Sequence, residues 1–236
     1  MAQVDRWMNR ASLLLLPPRC LVCGEPGASG RDLCGDCHGD LPWNRACCRR
    51  CGLPMALAAD ACGDCLGTPP PFSRTFAPLR YGFPVDRLLL RFKFHGDLAC
   101  GRELAALMRL AGTGAELPQA LVPVPLHPAR LRQRGYDQAL ELAKALGRSF
   151  SLPVLDRVLH RHRATGAQSE LDAEARRRNL RGAFASVATW LPAHIALVDD
   201  VMTTGSTVAE AARVLLRAGA RRVDVWVVAR APSPGG

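Results

Sequence analysis

Lysine is almost missing from this chain: of 31 basic residues only Lys93 and Lys144 are lysines, so the rest of the positive charge is carried by arginine. Long apolar runs are missing as well. No stretch approaches the ~18 to 20 residues of a membrane span, and the apolar patch Leu13 to Leu16 is too short for a signal-peptide core before it meets Pro17 and Pro18. A cytoplasmic protein without membrane insertion is expected. Nor is a Ser-His-Asp or Cys-His arrangement evident, so no covalent nucleophile is expected. What is present is an ordinary globular balance over 236 residues, 48% hydrophobic and 22% charged, which excludes a disordered or fibrous chain. The formal charge of +10, held mostly by guanidinium groups, suits phosphate-bearing partners. Genome composition produces the same arginine excess, so the charge alone names no ligand.

The ten cysteines say more. A cytoplasmic chain keeps its thiols reduced, which argues against a disulfide framework and for metal. Eight of them form C-x2-C knuckles, Cys20/Cys23, Cys34/Cys37, Cys48/Cys51 and Cys62/Cys65, each ten residues from the next. A knuckle puts two thiolates on one side of a tight turn, and two knuckles complete a tetrahedral shell of four sulfurs. Four knuckles therefore predict two structural Zn2+ sites with no open coordination position. Sequential and interleaved pairing are both compatible with the spacing. Cys47, beside Cys48, is an alternative ligand, whereas Cys100 lies on an apolar helical face and reads as a small core residue.

Three domains are expected. Val4, Trp7, Met8, Ala11 and Leu15 recur at helical spacing, so residues 1–16 read as an N-terminal amphipathic helix; residues 17–68 form the double zinc ribbon. After the stiff run Gly67 to Pro71, a third unit spans 72–230. In it, strand-like segments at 120–124, 194–198 and 222–229 alternate with helical patterns at 101–111, 137–147 and 206–218. That order predicts an α/β fold, a parallel sheet with flanking helices, whose function gathers at the carboxyl ends of the strands.

Residues 195–207 (IALVDDVMTTGST) carry the most chemistry. An apolar strand runs into Asp199 and Asp200, then into a loop of small hydroxyl residues around Gly205, then into a helix with Val208, Ala211, Ala212 and Leu215 on one face. Unpaired N–H groups and the positive dipole end of a helix N-terminus suit a phosphate dianion. Thr203, Thr204, Ser206 and Thr207 add hydroxyl donors, and Gly205 permits close approach. A capping turn explains Ser206 or Thr204 but not paired carboxylates. A sugar phosphate explains both, because Asp199 and Asp200 can accept from vicinal hydroxyls.

These residues resemble the phosphoribosyl-pyrophosphate signature of type I phosphoribosyltransferases, with Ala196 the one soft match. The likeness widens to the paired knuckles, Tyr81 to Gly96 (YGFPVDRLLLRFKFHG), Val122 to His127 (VPVPLH), Arg134 to Gln138 (RGYDQ), Arg163 to Gln168 (RATGAQ) and Arg178-Asn179. Together they are similar to the ComF family, bacterial proteins connected with natural transformation. The departure is Asp137, where Asn is commoner.

The resemblance implies a double zinc ribbon followed by a type I phosphoribosyltransferase fold. It assigns the catalytic positions to Asp199 and Asp200. It assigns phosphoribosyl pyrophosphate binding to Val201, Met202, Thr203, Thr204, Gly205, Ser206, Thr207, to the loop Pro123, Val124 and Pro125, and to Arg163, with Mg2+ accompanying the ligand. The segment 157–181, seven arginines against three acids, resembles the mobile loop that closes over pyrophosphate. Pentosyl transfer, single-stranded DNA and competence-machinery proteins are the implied activity and partners. A metabolic transferase for a small nitrogenous acceptor and a non-catalytic nucleotide-sensing adaptor are the alternatives. The chain continues only briefly past the last strand, which leaves the ribbons and residues 72–96 to hold an acceptor. There Tyr81, Phe83, Phe92 and Phe94 read either as core or as stacking platforms.

Overall fold

A computed structural model describes residues 17–28, 30–112, 116–163 and 182–232. The expected helix at 1–16 and most of the arginine-rich segment, from 164 to 181, lie outside the described residues. In chain order the helices are α1 (Gly35–Gly39), α2 (Gly63–Gly67), α3 (Val85–Phe94), α4 (Leu98–Ala111), α5 (Pro128–Arg134), α6 (Gln138–Phe150) and α7 (Ser206–Arg217). The strands are β1 (Arg74–Phe76), β2 (Leu79–Arg80), β3 (Ala120–Pro123), β4 (Leu159–Arg161), β5 (Phe184–Ser186), β6 (His194–Met202) and β7 (Arg222–Arg230).

The Val- and Ile-rich runs at 194–202 and 222–230 are buried on both faces, as parallel strands between helical layers must be. They pair with each other, β3 flanks β6, and β1 and β2 lie one after the other along the far side of β7; every pairing in this sheet is parallel. Because side chains alternate along a strand, Val223, Val225 and Val227 point to one core while Trp226 and Val228 point to the other. The first core receives Val208, Ala211, Ala212 and Leu215 of α7 together with Leu159 and Phe184 of the antiparallel β4–β5 pair. The second receives α3, α4 and α6 through Leu88, Phe92, Leu104, Met108, Leu142 and Leu146.

Strand β6 runs four residues beyond the expected 194–198. Its pairing with β7 continues to Met202 opposite Arg230, so Asp199 and Asp200 sit within the last residues of the strand and not after it. Helix α3 was not foreseen. Val85, Leu88, Leu89 and Phe92 are buried at helical spacing, and the Phe92 ring packs so close to α4 that a Cβ on Gly101 would lie 2.4 Å from it.

The ribbons cover the β1/β2 edge of the sheet from both sides. Cys20, Leu33 and Leu41 join the α3–α4 core, while Cys48, Cys51, Cys62, Cys65 and Phe72 join the α7 core. Asn44, buried between them, donates through Nδ2 to the carbonyls of Gly52 (2.8 Å) and Ala77 (3.1 Å). Thr75 donates its amide to the Arg49 carbonyl at 3.0 Å and its hydroxyl to that of Arg50 at 2.7 Å. An edge that would otherwise present unpaired backbone groups is thereby occupied. At the opposite, amino end of the sheet Arg222 pairs with Glu116 and Asp224, and Asp224 with His194.

Candidate functional site

The cysteines gather as two tetrads, Cys20, Cys23, Cys34 and Cys37, and Cys48, Cys51, Cys62 and Cys65, with the four sulfurs of each within 4.8 Å of one another. Pairing is sequential, not interleaved. The Cys23–Cys34 and Cys51–Cys62 sulfurs are each 3.7 Å apart, matching the edge of a tetrahedron with zinc–sulfur bonds of about 2.3 Å, which is about 3.8 Å. Backbone amides already point at the sulfurs: Cys37 N to Cys34 Sγ at 3.4 Å, Cys51 N to Cys48 Sγ at 3.5 Å and Cys62 N to Cys48 Sγ at 3.2 Å. Such N–H groups stabilise the thiolate form that a metal requires. The donor sets fit two Zn2+ ions. Cys47 is half-buried outside either tetrad, and Cys100 is wholly buried in α4, where burial pushes its thiol up to about 12.

At the carboxyl end of β6, Gly205 has φ +75° and caps α7. That left-handed φ is what favours glycine in the turn; a Cβ there would lie 2.7 Å from the Met202 methyl group, the movable end of that side chain. Thr204 Oγ1 and Ser206 Oγ are 2.9 Å apart, and Thr203 and Thr204 are exposed. Among the described residues the amides of Thr204, Gly205 and Thr207 have no hydrogen-bond acceptor, the condition expected of an anion cradle. Val201 N bonds the Asp200 carboxylate at 2.6 Å, and Met202 is buried below the loop.

Asp200 is buried and paired with Lys93 of α3, Nζ to Oδ1 3.1 Å. Burial, followed by the neighbouring Asp200 charge, pushes Asp199 up to about 8. Asp137 joins the same end of the sheet: it caps α6 by accepting from Leu140 N at 3.1 Å, and its second oxygen accepts from Leu126 N at 2.9 Å. Both bonds need an acceptor, and a carboxylate offers two, whereas Asn, with one oxygen and an NH2 group, could accept only one of them. Burial lifts the Asp137 pKa, with Asp200 adding to the shift.

Between β3 and α5, Pro123 and Val124 are buried and Val124 donates its amide to Val198, leaving Pro125 as the partly exposed part of the expected pyrophosphate loop. Arg161 on β4 stands near both Asp199 and Arg130, and its burial lowers its pKa. Arg163 is exposed at the end of the described segment, with no hydrogen bond or ion pair to the loop among the described residues. His160 and His162 are exposed too.

Lys93, Arg161 and Arg230 thus surround the loop without having been singled out for it. For Lys93 a signal existed: a chain that uses arginine nearly everywhere keeps a lysine in the segment YGFPVDRLLLRFKFHG. Of the aromatic residues there, Phe92 is core and no stacking platform, because its position on α3 turns inward. Arg91 is engaged with Asp97 and the Leu21 carbonyl. Tyr81, Phe83 and Phe94 are exposed, the last two most so at 60% and 62%, with Arg87 over the Phe83 ring at 5.4 Å and Arg134 over the Phe94 ring at 5.0 Å.

Among the described residues no helix is long and apolar enough to cross a membrane. Residues 11–66 match the model of the double zinc ribbon domain. DNA utilization protein YhgH of Escherichia coli K12 is 36% identical over 225 residues, covering 92% of this chain and 99% of its own. Competence protein F of Haemophilus influenzae is 39% identical over 157 residues, 63% of this chain and 69% of its own. A solved glutamine phosphoribosylpyrophosphate amidotransferase from Bacillus subtilis overlaps 54% of this chain and 25% of its own at 20% identity, with a TM-score of 0.35, too loose a likeness to argue from. With its two four-cysteine tetrads, its parallel sheet and a relative matched over nearly all of both lengths, this chain belongs to the ComF family, here a double zinc ribbon joined to a parallel α/β sheet.

Proposed function

We propose that the protein binds phosphoribosyl pyrophosphate at the carboxyl end of β6 and acts on, or in company with, single-stranded DNA in natural competence. The observation that carries the reading is the juxtaposition of acceptor-free amides at Thr204, Gly205 and Thr207 with the carboxylates of Asp199 and Asp200. Donors suit a 5′-phosphate, and acceptors a few residues earlier suit ribose hydroxyls. Val201 and Met202 lead into the loop, and of Pro123, Val124 and Pro125 the partly exposed Pro125 is the one that would face a pyrophosphate, with the buried Pro123 and Val124 holding it in place. Arg163 belongs to the segment that would close over it. Mg2+, bound with the ligand, would neutralise pyrophosphate charge beside the two carboxylates.

For pentosyl transfer the chain need supply no nucleophile. Its residues would hold the sugar, exclude water and stabilise departing charge. Arg161, near Asp199 and Arg130, is a cation available for that charge. Lys93 pairs with Asp200 at 3.1 Å and so holds that carboxylate in place at the end of β6.

The DNA part is supported by the relatives, one named for DNA utilization and one for competence. The exposed stripe of Phe83, Leu90 and Phe94, overlain by Arg87 and Arg134, adds ring faces for unstacked bases and cations for their phosphates. A metabolic transferase is the second reading. It is favoured by a cavity of about 930 Å³ between the second ribbon and the phosphate loop, lined by Gly63, Pro70, Phe72, Thr204, Ser206 and Arg213, with room for a small acceptor.

The test is a calorimetric titration of phosphoribosyl pyrophosphate with Mg2+, followed by an assay of pyrophosphate release with and without an oligonucleotide. Saturable binding is expected. Release that depends on a small amine or base and ignores DNA would favour the second reading, and no binding would reject both.

A further inference from the structure

We propose that Arg230 is a positioning residue through which the metal of the second cysteine tetrad sets the shape of the phosphate loop. The inference rests on reading that loop as the ligand site, and goes beyond it by making the loop depend on one zinc site and not the other.

Arg230 is the last residue of β7 and only 6% exposed. Among the described residues it has no carboxylate partner, and its Nε and Nη1 donate to backbone carbonyls. Nε donates to the Cys51 carbonyl at 3.0 Å, while Nη1 donates to the carbonyls of Met202 at 3.2 Å, of Thr203 and of Ala231. A buried cation must keep all such partners or bear a desolvation cost. The planar fork reaches two sides at once, which an ammonium cannot do.

The two sides are the two parts of the molecule at issue. Cys51 closes the third knuckle, whose turn is fixed by Gly52 N to Cys48 O at 2.8 Å and by the sulfurs of Cys48 and Cys51 in the tetrad. A metal held by those sulfurs holds the Cys51 peptide. Met202 and Thr203 are the last residue of β6 and the first of the loop, so their carbonyls fix where the loop begins. Releasing the knuckle frees the Cys51 carbonyl, and the guanidinium then loses one of its anchors beneath Thr203.

Among the described residues the first tetrad has no such connection to the loop. Its arginine contact is Arg91 to the Leu21 carbonyl, and the rest of that guanidinium is committed to Asp97 at the start of α4. Metal in the second tetrad should therefore favour the loop's ligand. By reciprocity the ligand should hold that metal.

Zinc transfer from the intact protein to a chromogenic chelator, timed with and without phosphoribosyl pyrophosphate and Mg2+, reads this directly. Two phases are expected, of which the ligand slows one by about fivefold or more, the lower end of ordinary coupling. Cys34→Ser, which breaks the first tetrad, should retain the protected phase. Arg230→Gln and Arg230→Lys should keep two zinc ions, lose the selective protection and bind the ligand about tenfold more weakly, a fold-change within the same range of coupling. Equal slowing of both phases, or protection that survives in the Arg230 variants, overturns the proposal. If those variants do not fold, the wild-type comparison decides alone, since ligand binding without selective protection rejects the link. Failure of the wild type to bind ligand rejects both the link and the reading beneath it.

Discussion

Lys93 Nζ lies 3.1 Å from Asp200 Oδ1, joining the carboxyl-terminal end of α3 to the end of β6. It is one of two lysines in the chain, it is largely shielded from solvent, and it faces a pair of adjacent carboxylates. Lys93→Met leaves Asp200 buried and unpaired. The ligand-free protein should lose about 3 kcal/mol, the lower end for removing one partner of a buried ion pair. Chemical denaturation with an unchanged midpoint would show that the pair is incidental. Asp200→Asn in the Lys93→Met background should recover part of the loss, because the uncompensated charge goes with it.

The metal prediction follows from the tetrads. Purified protein should carry about two zinc ions per chain, one for each four-thiolate shell. Cys62→Ser should release one of them and loosen the second ribbon, while the sheet and its α3–α4–α6 core stay folded. Metal analysis finding no zinc, or disulfides within the tetrads, would reject this.

The sequence foreshadowed these features unevenly. Each knuckle and the strand–loop–helix at 195–217 are local patterns, in which spacing fixes which neighbours come together within the motif. Whether the tetrads were sequential or interleaved was a tertiary question, settled when each ribbon packed on its own face of the sheet. Helix α3 hid because its aromatic residues invited a reading as a surface, and only the burial of Phe92 separates it from the exposed Phe94. Arg230 was invisible in principle. Nothing near it in the chain says that its partners will be Cys51, Met202 and Thr203. At Asp137 the helix cap to Leu140 N is legible in the sequence, but the second bond, from Leu126 N to the other carboxylate oxygen, is a tertiary contact that Asn could not accept at that atom.

The raised pKa of Asp199 gives the ligand-free protein a definite pH dependence. Folded, this carboxyl holds its proton up to about 8, whereas unfolded it ionises near its ordinary value of 3.8. Between those limits the native state binds more protons than the unfolded state, so the Asp199 contribution to stability falls as pH rises across that window. Asp199→Asn should flatten the decline between about pH 5 and 8 and leave the protein more stable at the upper end. Thermal melts with the same pH slope in both proteins would contradict the shift.

For nucleic acid, binding of a labelled single strand should weaken steeply with salt, with a log–log slope of about −0.7 per phosphate neutralised. Phe94→Ala should cost about 1 to 3 kcal/mol of that binding if bases stack on the ring. Arg134→Ala should lower both affinity and slope. Competition between the oligonucleotide and saturating phosphoribosyl pyrophosphate would place both on one surface, whereas simultaneous binding fits the separate stripe at Phe83 and Phe94. No binding at low salt removes DNA from the function.

The central claim is that Asp199, Asp200 and the Gly205 loop form a site for phosphoribosyl pyrophosphate. It is tested most directly by the rise in melting temperature on adding that ligand with Mg2+, measured in the wild type and in the double variant Asp199→Asn, Asp200→Asn. A ligand selective for the native state at 100 times its Kd stabilises by about 2.7 kcal/mol. The account predicts a clear rise in the wild type and loss of most of it in the double variant. An equal rise in both would contradict the account, since the carboxylates would then be structural only.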